Sequence, residues 1–550
     1  MRTLTAFGFF ASLLVVAGPS PAEEPSGPPP LEGEAAPGAP APLQGELALS
    51  VQDAIVLAVE NNLDVEIARY EPLISDLDHT SAWGAYDPNA FASFGHSSTD
   101  SPVASTFEPS AVVVDRETSG GAGVVGLIPR LGGQYEISYG GQRFTTTQAI
   151  PNLSPEYRAS VLGSLTVPLL KGAWWGAPWI LIRQTGIGAE ISHEDFRKNL
   201  MDLLQATENA YWSVSASGEK RRVSRKSLEA SQALLDQTKA QYEVGVVSRV
   251  EVTESEAGLA QREVDVIVAE NGYRATQDRL IDLVLGPNLT PDSSLEVRPT
   301  DSPEEIASYE VDPEEANRKA LVHRPEIVSA RKNVELGEVE LKFRKNQRLP
   351  QVDLQFTYGY QGLGGKTNPA PPVFCPTGVL PPCSRAPVTS VGSTYSSAHD
   401  DFFDSDGASQ WSGGAVVTIP IGNVSARAGA SRAELELRRA RTLVRRLELD
   451  IVIEVREAIR NLESALEGIE AAERRRVAAE EQLRAESIRL EYGESTPFDV
   501  LQREEDLVDA ESQKILALQL YHTSITALDR AQGTILDNRN IVVEEAAALR

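Results

Sequence analysis

Hydrophobic and polar positions alternate along residues 350–360, PQVDLQFTYGY. Val352, Leu354, Phe356, Tyr358 and Tyr360 share one face, and Asp353, Gln355 and Thr357 the other. A period of two predicts a strand with two unlike faces. The same entry after a proline recurs at PNAFASFGH, residues 88–96. Two returning strands end at prolines: VLGSLTVP (161–168) and WSGGAVVTIP (411–420). The first half holds a further pair, GAGVVGLIP and GQYEISYGGQ, around the turn RLGG. There Tyr135, Ile137 and Tyr139 alternate with Gln134, Glu136 and Ser138, so this half carries four strand-like segments against two in the other.

Elsewhere the period lengthens. Residues 180–243 and 426–490 read as continuous helices of 64 and 65 residues. At ~1.5 Å per residue each would span roughly 100 Å. In the second, Ile451, Ala458, Ala465 and Ala472 recur every seven residues beside Val455, Leu462 and Ile469. Heptad spacing predicts a coiled-coil seam, and the alanines predict close helix approach. Each run ends at a glycine, in YEVGVVSRVEV (242–252) and LEYGESTPFDV (490–500), and the helical pattern then resumes. Gly245 and Gly493 are therefore expected to turn two long antiparallel hairpins, since glycine accepts the positive φ of a sharp reversal. Shorter helices of about 35 residues are expected near 50–84 and 312–347, on the same helical periodicity.

The two halves hold register. Ala58 falls on Ala320 and Ala68-Arg69 on Ala330-Arg331, at 320 − 58 = 262; Pro88 falls on Pro350 and Phe94 on Phe356 at the same offset. Gly245 and Gly493 stand 493 − 245 = 248 apart. The chain reads as a duplicated unit: a first repeat at 46–300, a linker at 301–311, a second repeat at 312–540 and a tail at 541–550. Before them, Arg2 and the apolar run Ala6–Ala17, with Ser20 and Ala22 ahead of a cut, make residues 1–22 a secretory signal peptide. Residues 23–45 form a Pro-rich flexible leader.

Composition narrows the class. The net charge of −28 argues against a nucleic-acid partner. An exported chain with no continuous apolar span of ~20 residues is either free or enters a membrane as a β-barrel. Four to six strands are too few for a single-chain barrel, which needs at least about eight, so several chains must share one. Cys375 and Cys383, in an exported Pro-rich loop, are expected to form one disulfide. No histidine stands beside them, and the six histidines form no i, i+4 pair, so no metal site or cofactor is expected. Trp174, Trp175 and Trp179, where a strand becomes a helix, suit either a membrane-interface belt or packing at that junction. The basic runs RRVSRKS (221–227) and ERRRV (473–477) read as solvated helix faces with glutamate partners. No nucleophile–base pattern marks an enzyme.

The chain resembles the TolC family of outer-membrane efflux proteins over about 46–540. The carriers are LSVQDAIVLAVENNLDVEIAR, LTVPLLKG, VVTIPIG and the two glycine motifs, in that order and duplicated. The hairpin LIPRLGGQYEISYGGQRF looks like a subgroup of the family. The resemblance implies a mixed α and β membrane protein: a homotrimer with a shared twelve-stranded β-barrel, four strands per chain, continued by a long periplasmic α-helical coiled-coil barrel. The extra segments at 121–143 either extend that barrel or fold outside it. It further implies an outer-membrane channel, working with a periplasmic adaptor and an inner-membrane pump of RND or ABC type in efflux or type I secretion. A porin-like passive channel and an envelope coiled-coil structural protein are the alternatives. Carried over residue by residue, Val244, Gly245, Val246, Tyr492, Gly493 and Glu494 become the periplasmic tip and adaptor contacts. Glu251 and Asp499 become rings of three carboxylates at the pore constriction, raising their own pKa by mutual repulsion. The family's closed-state tyrosine and arginine are replaced by Leu490 and Ser495, so the gate closes with its own contacts.

Overall fold

The computed structural model describes residues 44–103, 111–148, 150–288, 294–306, 311–368, 392, 394–400 and 408–542. The signal peptide, almost all of the leader, the last eight residues of the tail, and Cys375 with Cys383 lie outside the described residues. In chain order the elements are β1 (Gln44–Leu49), α1 (Val51–Asn61), α2 (Leu63–Trp83), β2 (Asn89–Pro102), β3 (Val112–Leu127), β4 (Gln134–Thr146) and β5 (Leu153–Pro168). Then come α3 (Ala177–Glu243), α4 (Arg249–Leu285), β6 (Ser294–Pro299), α5 (Pro313–His323), α6 (Pro325–Asn346) and β7 (Gln351–Thr367). The last are α7 (Tyr395–Asp400), β8 (Ala408–Thr418), α8 (Val424–Glu491), α9 (Pro497–Gln532) and α10 (Ile535–Asn538). No described helix is long and apolar enough to cross a membrane.

The predicted helices of about 35 residues are each a pair. Asn62 leaves the helical region at ψ 123°, and its side-chain oxygen accepts the N–H of Asp64 at 2.9 Å, starting α2 afresh. Arg324 does the same at ψ 125°, because the ring of Pro325 excludes helical geometry from the residue before it. The breaks stand 324 − 62 = 262 apart, and α1 and α5 begin at 313 − 51 = 262. β2 and β7 begin at the same offset, 351 − 89 = 262.

Of the described residues, one compact unit comprises 44–74, Ile191–Ser329 and 444–542. Its first core gathers Ile55, Leu204, Tyr211, Val214, Leu280 and Ile535. Its second carries the predicted heptads: Ile451, Val455, Ala458, Leu462, Ala465 and Ile469 are buried with Ile327, Leu518, Tyr521 and Leu528. β1 and β6 pair in parallel across it, which the leader assignment of residues 44–45 did not foresee. The buried Tyr211 hydroxyl donates to Asp301 at 2.6 Å, and Asp301 in turn accepts the N–H of Val51 at 2.7 Å, seating the first turn of α1. Ion pairs knit the unit: Arg530 to Asp202 at 2.8 Å and to Glu326 at 2.9 Å, Arg324 to Glu326 at 3.0 Å, and Arg539 to the buried Glu208 at 2.6 Å.

The other unit comprises Ser75–Glu190 and Ala330–Leu443. It holds one antiparallel sheet in the order β2-β3-β4-β5-β7-β8. The resemblance implied four strands per chain; the sheet has six. The predicted extra hairpin is β3 and β4, and it lies inside the sheet between β2 and β5. The alternation runs across the sheet with exceptions, since Phe91, Val125, Leu127 and Leu162 stand on the more polar face. Ala92, Ala122, Tyr139, Val161 and Tyr360 form one cross-strand row, and Phe94 opposes Gly120 in the next. The opposite face carries Ser93, Gly121, Gly140, Ser160 and Gln361. On the face of the Tyr139 row, Ala398 of α7 is buried on Ala159 with Tyr139 and Val161 packed around it, and the Tyr395 hydroxyl meets that of Tyr139 at 3.1 Å.

Candidate functional site: the hairpin tips

Two turns of one design join α3 to α4 and α8 to α9. At the first, Gly245 stands at φ +77°, with Val246 N–H donating to Gln241 O at 2.9 Å and Gly245 N–H to Tyr242 O at 3.0 Å. At the second, Gly493 stands at φ +74°, with Glu494 N–H donating to Arg489 O at 2.8 Å and Gly493 N–H to Leu490 O at 3.1 Å. These are left-handed helix ends in which the returning amides satisfy the last carbonyls. Three residues later a new helix is capped. Ser248 and Glu251 form a reciprocal capping box, and so do Thr496 and Asp499, with Pro497 in the first turn. Each turn thus reads G-x-x-[S/T]-x-x-[E/D], and the residue types follow from the backbone groups that the helix ends leave unsatisfied.

Glu251 and Asp499, expected at a constriction, therefore have a first duty within the chain. Glu251 accepts the N–H of Ser248 at 3.2 Å, and Asp499 that of Thr496 at 3.2 Å. The Thr496 hydroxyl, at 2.7 Å, and its amide hold the Asp499 carboxyl below its ordinary pKa. Any mutual repulsion between copies would act against that. Ser248 and Thr496 escaped notice in the sequence, although S-x-x-E and T-x-x-D are readable capping signatures.

Leu490 is buried, 8 % exposed, against Leu234 and Val500. The position that a latch residue takes in the resemblance is here part of a small core linking α3 to α8 and α9. Ser495 donates to Glu486 at 2.5 Å, spanning the turn. The remaining tip side chains point outward: Val244 is 76 % exposed, Val246 71 % and Tyr492 79 %. Further along α9, Glu504 is buried and accepts the Ser231 hydroxyl at 3.2 Å, while its other oxygen has no partner. Burial raises its pKa against the smaller opposing effects of Ser231 and Arg262. No sequence periodicity marked it.

The tryptophans divide. Trp179 meets Trp83 edge-on at 6.1 Å and lies under the Arg130 guanidinium at 5.2 Å, so it packs at the junction. Trp175 faces the Lys342 ammonium at 5.6 Å, and Trp174 is exposed at φ +61°. The basic runs have the expected glutamate partners: Arg222 with Glu219, Arg225 with Glu270, and Arg476 with Glu473 and Glu480. Among the described residues no group of His, Cys, Asp or Glu has the geometry of a metal site.

The fold is that of known outer-membrane channels. The outer-membrane channel OprN matches with a TM-score of 0.60 at 15 % identity, over 88 % of this chain and 90 % of that one. The Campylobacter jejuni CmeC outer membrane channel matches with a TM-score of 0.61 at 14 % identity, over 88 % and 86 %. The Neisseria gonorrhoeae MtrE outer membrane channel matches with a TM-score of 0.58 at 15 % identity, over 88 % and 89 %. No curated protein sequence matches. The sequence model described as outer membrane efflux protein matches residues 121–284 and 317–534, more than half of the chain. Sequence and fold thus agree, and the chain belongs to the outer membrane efflux protein family.

Proposed function

We propose that three copies of this chain assemble into a duct that carries substrates out through the outer membrane. The two halves of the chain are duplicated copies within it. The observation that carries the assembly is the sheet itself. β2 and β8 each pair on one side only, and an open strand edge has no stable place in lipid. Pairing β2 of one copy with β8 of the next closes the wall. The exposed Val244, Val246 and Tyr492 at the two matched tips form an apolar contact surface for a periplasmic adaptor. Through that adaptor the duct serves an inner-membrane pump of RND or ABC type. Glu251 and Asp499 cap their helices and, repeated three-fold, line the constriction.

The test is export in a host lacking its own duct and supplied with the cognate adaptor and pump. The wild-type chain should restore export and run as a trimer in mild detergent. Val244→Asp with Tyr492→Asp should abolish export while keeping the trimer. A stable monomer with intact β-structure would refute the shared wall, and full export by the double variant would refute the docking surface.

A further inference from the structure

The β3–β4 hairpin lies within the wall and not beside it. β2 pairs with β3 over its whole length, from Asn89 with Val125 to Pro102 with Val112. β3 and β4 pair from Leu127 with Gln134 to Asp115 with Thr146. β4 and β5 pair from Gln134 with Thr166 to Phe144 with Glu156. Each strand exceeds the ~9–11 residues a bilayer needs. The faces also agree. On the inserted pair Gly126, Val124, Ala122 and Gly120, then Tyr135, Ile137 and Tyr139, continue the uncharged face of β5 and β7. Ile137 is 60 % exposed there. The opposite face carries Leu127, Val125, Gly123 and Gly121 on β3 and Gln134, Glu136, Ser138 and Gly140 on β4, small only in its middle. The turn between the strands, residues 128–133, is short, as at the periplasmic rim of outer-membrane barrels.

We infer that the hairpin is a transmembrane part of the duct, so that three copies build an eighteen-stranded wall; this rests on the trimeric reading proposed above. Strands ~4.8 Å apart and tilted by ~40° add about 2 Å of diameter each. Twelve strands give a backbone cylinder of about 24 Å, and eighteen give about 36 Å, roughly doubling the cross-section. At the level of Gly121, Gly123, Ser138 and Gly140 the hairpin adds only small side chains of its own to that face. The membrane section therefore passes cargo bulkier than an extended chain, and selection by size falls to the periplasmic end.

Single cysteines at Ile137→Cys and Ser138→Cys in the full chain, each carrying an environment-sensitive fluorophore, test the placement in vesicles, with labelling normalised to the parent. Brominated acyl chains should quench position 137 several-fold more than 138, and aqueous iodide should do the reverse. Particles imaged in nanodiscs should show three-fold symmetry and a wall about 36 Å across. Equal iodide quenching at both positions overturns the inference, as does a three-fold wall about 24 Å across with the hairpin outside it. A particle without three-fold symmetry overturns the trimeric reading instead, and the wall count with it.

Discussion

Gly493 separates backbone strain from crowding. It stands at φ +74°, and a Cβ built on it would meet no atom within 4 Å. Any L-residue other than Asn or Asp placed there therefore incurs the left-handed backbone cost of about 1–2 kcal/mol, and nothing more from its own chain. Gly493→Ala and Gly493→Leu should destabilise the turn equally, and Gly493→Asn less, because its short polar side chain tolerates that region. The readout is hydrogen exchange at Glu494, whose amide closes the turn on Arg489 O at 2.8 Å. A loss of 1–2 kcal/mol speeds local opening by about 5–30-fold. If Leu exchanges far faster than Ala in the isolated protein, or Asn as fast as Ala, the backbone explanation is wrong. An export defect specific to Leu, at equal exchange, would then report on contacts that the assembled tip makes with its adaptor.

Thr496→Ala removes the oxygen that accepts Asp499 N–H at 3.3 Å and should cost about 1 kcal/mol, seen as faster exchange in the first turn of α9 alone. Glu504→Gln should raise the melting temperature above neutral pH and change little near pH 4. The folded pKa of Glu504 is raised, so its contribution is complete below the unfolded value and lost as pH climbs through the folded one; an equal effect at both pH values would contradict this. Glu326 behaves oppositely: burial opposes its charge, but Arg324 and Arg530 hold its pKa down to about 2. Its contribution is present above the unfolded value of 4.5 and lost as pH falls toward 2, so Glu326→Gln should lower the melting temperature at pH 6 and converge on wild type near pH 2.

Periodicity was enough for the long helices and the six strands of the sheet, though not for β1 or for the breaks that split the shorter helices. The alternation of Val352 to Tyr360, the heptads from Ile451 to Ala472 and the glycines 245 and 493 each encode a local rule, so strand, seam and turn were readable without a partner in view. The common offset of 262 between the two halves was readable too, because equal offsets need only counting. The breaks at Asn62 and Arg324 were legible in part, since Pro325 stands in the sequence, while the Asn62 cap depends on which amides its side chain reaches. What only the tertiary structure decided is pairing. Alternation says that β3 and β4 have two faces, but not whether their edges meet β2 and β5; that depends on hydrogen bonds between segments far apart in the chain. The same holds for Leu490, an apolar residue whose burial on Leu234 and Val500 comes from another helix. It holds as well for Glu504, whose environment is set by α3 and not by its neighbours in sequence. The resemblance made Asp499 a pore charge, and the tertiary structure adds a helix cap, because the Thr496 hydroxyl and amide both reach its carboxylate, at 2.7 Å and 3.2 Å.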